Sequence, residues 1–272
     1  MTNIGGDVAR RWLLAGGGVA VLSACGPRAK APQSSAAVAA LPVGSLEWAL
    51  AGAWRSDADR QQDRLVHPAQ TLTFFGLAPG MTVVEIWPGA GWWTGILAPY
   101  LAANKGKLYA ATFESPNPDD PAAGPVVQAY RKMIADKPTV YGDVAVTSFG
   151  PHSGALAPDG AADLVLFFNL DNWMAAGLAE KAFHNAYAAL KPGGVLGVVQ
   201  ARADVGGAQD PLASNGYVQV DFVKQMAAEA GFVFDKSSEI NANPKDGKDA
   251  RRSLPFARPI EPDRMTLRFV KR

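Results

Sequence analysis

At 272 residues, 48% apolar and 19% charged, the chain is long enough for a full hydrophobic core and too rich in alternating strand and helix patterns for a small stapled domain. A formal charge of +1 and an isoelectric point near 7.8 supply no basic field for nucleic acid. The single cysteine, Cys25, excludes an internal disulfide framework and a cysteine-built metal site, and His67, His152 and His184 are spaced too widely for metal-ligand motifs.

Residues 1–25 read as a targeting segment. Arg10-Arg11-Trp12-Leu13-Leu14 is a twin-arginine pair, and the apolar AGGGVAVLSA after it is too short and glycine-rich to stay as a membrane-spanning helix. Leu22-Ser23-Ala24-Cys25 resembles the lipobox of bacterial lipoproteins, which implies lipidation of Cys25 and a periplasmic protein held on a membrane surface by acyl chains. The alternative is an ordinary signal peptide with an incidental cysteine. Removing Arg10, Arg11 and Asp7 from the 26 basic and 25 acidic side chains leaves the two signs in balance. Residues 26–44, rich in Ala, Pro and Ser, read as a flexible tether, and 45–272 as one globular domain.

The domain opens with a helical pattern around Leu46, Trp48, Leu50 and Trp54, capped by Ser45, followed by a charged stretch from Arg55 to Arg64. His67-Pro68 then starts a short helix to Phe75. His67 is either a base or substrate contact, or a histidine at a helix start. Strand one is expected over 81–87, helix A over 92–103, strand two over 107–113, helix B over 124–136 and strand three over 143–149. Strand four follows over 163–168, its crossover from strand three short or missing. One helix runs to Leu190, strand five covers VLGVVQA, a helix spans Tyr217–Ala230, and strands six and seven are FVFDKSSEI and MTLRFVK. The charged, proline-rich 240–264 connection is long enough to lid a site.

The informative turn is Glu85-Ile-Trp-Pro-Gly89-Ala-Gly91, between an apolar strand and a helix, where glycine lets backbone approach a ligand at the carboxyl end of a parallel strand. It is not the dinucleotide pattern G-x-G-x-x-G, and no Lys-Ser/Thr follows for a P-loop. It resembles motif I of class I S-adenosylmethionine-dependent methyltransferases, E/D-x-G-x-G-x-G, with Trp87 in place of the first glycine. HPAQTL, EIWPGAGWWT, NLDNW, LKPGG and SSEINANPKD together resemble, more narrowly, a bacterial family of predicted and often exported methyltransferases in which the W-P-G form is usual. The resemblance implies a Rossmann-like, doubly wound seven-stranded α/β sheet with the last strand antiparallel, and S-adenosylmethionine as cofactor. It implies that Gly89 and Gly91 seat the methionine part, Glu85 takes its ammonium directly or through water, Glu114 the ribose, and Ser148 and Phe149 the adenine, with Phe149 equally readable as a core residue. On the acceptor side it points to Asp171 as base and Asn169 as a hydrogen-bonding group, with His67, Arg202, Tyr217 and Trp93 as further candidates. The expected activity is methyl transfer to a small molecule. An inactive scaffold that binds another ligand or makes contacts at the envelope is the alternative, because the periplasm has no obvious supply of the cofactor.

Overall fold

Strands buried on both faces need helices on both sides, and that requirement shapes the molecule. The computed structural model describes residues 41–114, 124–248 and 261–272. The leader with its arginine pair and Cys25, most of the tether and the middle of the 240–264 connection lie outside the described residues.

Three helices precede the sheet. Ser45 caps α1 (Leu46–Ala51) by accepting the Trp48 amide at 3.1 Å. The charged stretch folds as α2 (Asp57–Val66), a helix that the sequence reading left unassigned; Ser56 and Asp59 form a reciprocal capping box at its start. In α3 (Pro68–Phe75), proline sits in the first turn, and Gly76 ends the helix while its amide and that of Leu77 return to Thr73 and Leu72.

The remaining elements are β1 (Thr82–Ile86), α4 (Thr94–Ala103), β2 (Lys107–Phe113), α5 (Gly124–Ala135), the single turn α6 (Pro138–Tyr141), β3 (Val144–Phe149) and β4 (Ala162–Phe168), then α7 (Leu170–Ala175), α8 (Ala179–Ala189), β5 (Leu190–Ala201), α9 (Val220–Glu229), β6 (Phe232–Ser238) and β7 (Arg264–Lys271). No helix joins β3 to β4, as expected. The expected helix to Leu190 is two. Gly177, at φ 68°, stops α7, and the Gly177 and Leu178 amides fold back onto Met174 and Trp173. Strand five starts earlier than expected: Lys191-Pro-Gly-Gly194 lies inside β5, where the pairing with β4 shifts register.

The sheet order is β3-β2-β1-β4-β5-β7-β6, with β7 antiparallel to both neighbours. This is a Rossmann-like α/β sheet, and its winding reverses between β1 and β4, so a crevice forms at their carboxyl ends. Asp163 ties down the opposite end: its carboxylate accepts the Thr82 amide at 2.8 Å and the Lys191 ammonium at 2.6 Å. On one face Val84, Ile86, Val165, Phe167, Leu196 and Val198 share a core with α7, α8 and α9. On the other, Val83, Leu164, Leu166 and Phe168 pack with α1, α3 and α4. Gly197 belongs to that second face. A Cβ there would stand 2.6 Å from the Phe75 ring, so its absence lets α3 lie flush on β5.

Candidate functional site

The glycine turn leaves β1 at the point where the winding reverses. Trp87 extends the pairing by donating its amide to Ala111 O at 3.0 Å, then takes φ 60°. Gly89 and Gly91 follow at φ 54° and 88°, and the Gly91 amide closes the turn on Pro88 O at 2.7 Å. A side chain at Gly91 would run into Met133 of α5, whereas at Gly89 it would meet only Trp87 Nε1, at 3.7 Å. Asn169, at the end of β4, mirrors Trp87 with φ 58°. Two non-glycine residues in the left-handed region thus follow the neighbouring strands β1 and β4 at the switch point and line one cavity.

Trp87 walls two cavities. The first, of about 470 Å³, is bounded by the turn, by Trp92, Trp93 and Phe168, by Asn169, and by the α2 residues Asp59, Gln62 and Val66. Trp93 stacks on Phe168 with centroids 4.2 Å apart and planes 4° from parallel, and Trp92 meets Trp93 edge-on at 4.7 Å. The second cavity, of about 360 Å³, lies between Trp87, Phe113, Asn172 and Trp173; Trp87 meets Phe113 and Trp173 edge-on at 5.5 and 6.1 Å. Beyond α7, Asp171 and Asn172 border a third hollow of about 410 Å³ with Leu212 and Ser214.

The expected site residues therefore separate. Gly89, Asn169 and Trp93 line the first cavity, whereas Asp171 borders the third, and its amide donates to Gln200 Oε1. Glu85 is only 1% exposed and lines none of these cavities. Its Oε2 accepts the Thr94 hydroxyl at 2.6 Å, Tyr130 OH lies 3.1 Å from that hydroxyl, and Oε1 is buried without a hydrogen-bond partner among the described residues. Burial raises its pKa from 4.5 to about 7, outweighing the Thr94 bonds that lower it. Glu85 thus sits behind the turn, against α4 and α5, with its carboxylate turned to Thr94.

Glu114 accepts the His152 amide, the Ser153 amide and the Ser153 hydroxyl, all on Oε2, and the Ser153 amide leads the causes that lower its pKa. Lys181 holds the same loop from the other side through the carbonyls of Gly150, Pro151 and Ser153. Ser148 is exposed, while Phe149 is fully buried with its ring edge-on to Trp173 at 4.9 Å, making it a core residue. Arg202 is locked by Asp263 and Glu239, whose bonds raise its pKa, and the Tyr217 hydroxyl donates to buried Asp246 at 3.1 Å. Both side chains are thus engaged by acidic partners within the fold.

His67 joins α2 to α3 at φ 41°, and its Nδ1 lies 3.4 Å from Asn241 Oδ1. The Thr71 hydroxyl donates to Val66 O at 3.2 Å, so it can only accept from Asn241 Nδ2, at 2.9 Å. That fixes the Asn241 amide with its oxygen toward the imidazole. In the neutral ring this arrangement favours the tautomer with Nδ1 protonated. His67 sits beside the first cavity's wall, next to Val66, and Asn241 O receives the amide of Arg264, another wall residue.

Trp92, Phe168, Gln62, Arg264 and Asn241 escaped the sequence reading as site residues. The Trp92-Trp93 doublet at a helix start was the one available signal; the others meet only through the fold. Among the described residues no group of three metal-binding side chains comes together.

No protein-family model matches the chain, and no curated protein matches it in sequence. Solved structures do share its architecture. An S-adenosylmethionine-dependent methyltransferase from Aquifex aeolicus is 16% identical over 77% of this chain and 92% of its own, with a TM-score of 0.54. A putative methyltransferase from Bacillus halodurans C-125 is 16% identical over 76% and 99%, at 0.51. The cyclase SpnF is 17% identical over 68% and 62%, also at 0.51. The likeness extends across proteins named for different reactions, so it establishes architecture and not chemistry. The chain has the Rossmann-like fold of the class I methyltransferases.

Proposed function

We propose that this chain transfers the methyl group of S-adenosylmethionine to a small acceptor, and that it belongs to the narrower bacterial family whose motif I reads EIWPGxGW. The observation that carries the reading is the glycine turn Trp87–Gly91 at the switch point, with a cavity on each side of Trp87. The residues present fit the cofactor. Trp87, Phe113 and Trp173 offer aromatic walls to a flat base, Glu114 Oε1 stands apart from the bonds that engage Oε2, and Gly89 leaves its side of the turn open. When bound, the sulfonium supplies an electrophilic methyl carbon.

The chain's own residues then have to orient the acceptor, exclude water and take a proton. Asn169 hydrogen-bonds the acceptor in the first cavity, and Trp92, Trp93 and Phe168 give it an apolar wall. Proton removal falls to His67, which follows the wall residue Val66 and is held by Asn241. Asp171 is the weaker candidate because it opens on the far side of α7. Calorimetric titration with S-adenosylmethionine and S-adenosylhomocysteine tests the reading. Competitive binding of the two supports it. No heat and no thermal shift at millimolar concentration would replace it with a scaffold that binds another ligand.

The localisation reading accompanies it: twin-arginine export followed by lipidation at Cys25. That route carries folded protein, so cofactor bound before export would support a single turnover, whereas a fraction retained in the cytoplasm would turn over repeatedly.

A further inference from the structure

We infer that the cavity beside Trp93 binds a neutral, planar aromatic compound of one or two rings bearing a hydroxyl or carbonyl group. Calling that compound the methyl acceptor rests on the methyl-transfer reading; the binding claim stands on the cavity alone. Its volume of about 470 Å³ falls in the ordinary range for small-molecule sites. Four aromatic side chains, Trp87, Trp92, Trp93 and Phe168, contribute to its wall. They are held before any ligand arrives. Trp93 lies parallel on Phe168, the Trp92 indole N–H donates to Asp59 O at 3.1 Å, and the Arg55 guanidinium sits 5.5 Å over the Trp92 ring. Rigid aromatic walls lose little freedom when a flat molecule slides between them.

Charge decides the class. Asp59 accepts the Ser56 amide and hydroxyl, both at 2.8 Å, and Arg264 is paired with Glu261. Arg264 is thus already paired, so an anionic ligand would be desolvated without a counter-charge, while the Asp59 carboxylate is bonded only to the neutral Ser56 donors and the Arg55 guanidinium over Trp92 already supplies positive charge to that side of the wall. The side-chain amides of Gln62, on α2, and Asn169, after β4, make no hydrogen bond with the described residues. Each presents a donor and an acceptor to a ligand oxygen from a different part of the wall. Trp92 is poorly suited to a quaternary ammonium because a guanidinium already lies over it.

The test is calorimetry at pH 7 on the full chain, with and without S-adenosylhomocysteine, using 1-naphthol as the neutral probe and 1-naphthoate and phenyltrimethylammonium as its charged counterparts. Naphthol is expected to bind at least tenfold more tightly than either ion. Trp93→Ala should weaken it tenfold or more. Gln62→Ala, a change on a part-exposed helix position that leaves the fold intact, should weaken it three- to tenfold. Naphthol binding in neither condition overturns the inference, as does binding matched by either ion or binding unchanged in Gln62→Ala. Naphthol binding with no heat and no thermal shift from S-adenosylhomocysteine itself would leave this inference standing and remove the methyl-transfer reading instead.

Discussion

Glu85 shows at the scale of one residue how far position and role can diverge. Its place before the glycine turn suggested a ligand contact, but β1 is buried on both faces, so strand alternation gave no hint that the carboxylate turns toward Thr94 and Tyr130. Its folded pKa of about 7 against an ordinary 4.5 means that the native state holds the proton more tightly than the unfolded chain. The stabilisation is therefore complete below about pH 4.5 and is lost as pH rises through 7, by about 3 kcal/mol in total. Urea titrations at pH 5 and 8 should show this fall, and Glu85→Gln should flatten it. Asn241 governs His67 in a comparable way. Nitrogen-15 spectra of the imidazole at pH 8 should show Nδ1 protonated in the native protein, and Asn241→Ala should shift the population toward Nε2–H. The same change should cost about 1–3 kcal/mol by leaving the buried Thr71 and Thr266 hydroxyls without their amide partner.

At the scale of an element, α4 contains a proline that should weaken it. Pro99 has no N–H for the carbonyl of Gly95, four residues back, and the Trp54 indole N–H fills that place at 2.8 Å from the loop after α1. The same pair bolts the N-terminal helices to the helix that follows the glycine turn. Trp54→Phe should cost about 1–3 kcal/mol, chiefly by orphaning that carbonyl, and the loss should appear as a lower urea midpoint with an unchanged slope. Periodicity and caps made every strand and most helices legible: Ser45, Pro68 and the missing crossover after β3 all behaved as read. The helices that periodicity did not announce were the single turn α6, where Pro138 begins a helix instead of only ending one, and α2. Its charged surface hid a capping box, and its packing partners, Trp92 and Asp63's mate Arg55, arrive from other elements. That omission concealed one wall of the candidate site.

For the molecule as a whole, the fold class and the antiparallel last strand were legible, because strand and helix alternate along most of the domain. Which side chains share a cavity was not, since Val66, Trp93, Asn169 and Arg264 converge from separate parts of the chain. If the methyl-transfer reading holds, S-adenosylhomocysteine at a hundred times its dissociation constant should stabilise the whole fold by about 2.7 kcal/mol, measurable as a rise in melting temperature. Cys25→Ser should release the protein from the membrane fraction if lipidation anchors it, and an unchanged fraction would remove the anchor from the account. Trp87, finally, serves as the common partition between two compartments. Trimming that indole would enlarge both rooms at once, so the ranges of molecules admitted on either side cannot drift independently at this position. A lineage that altered one appetite here would alter the other in the same step.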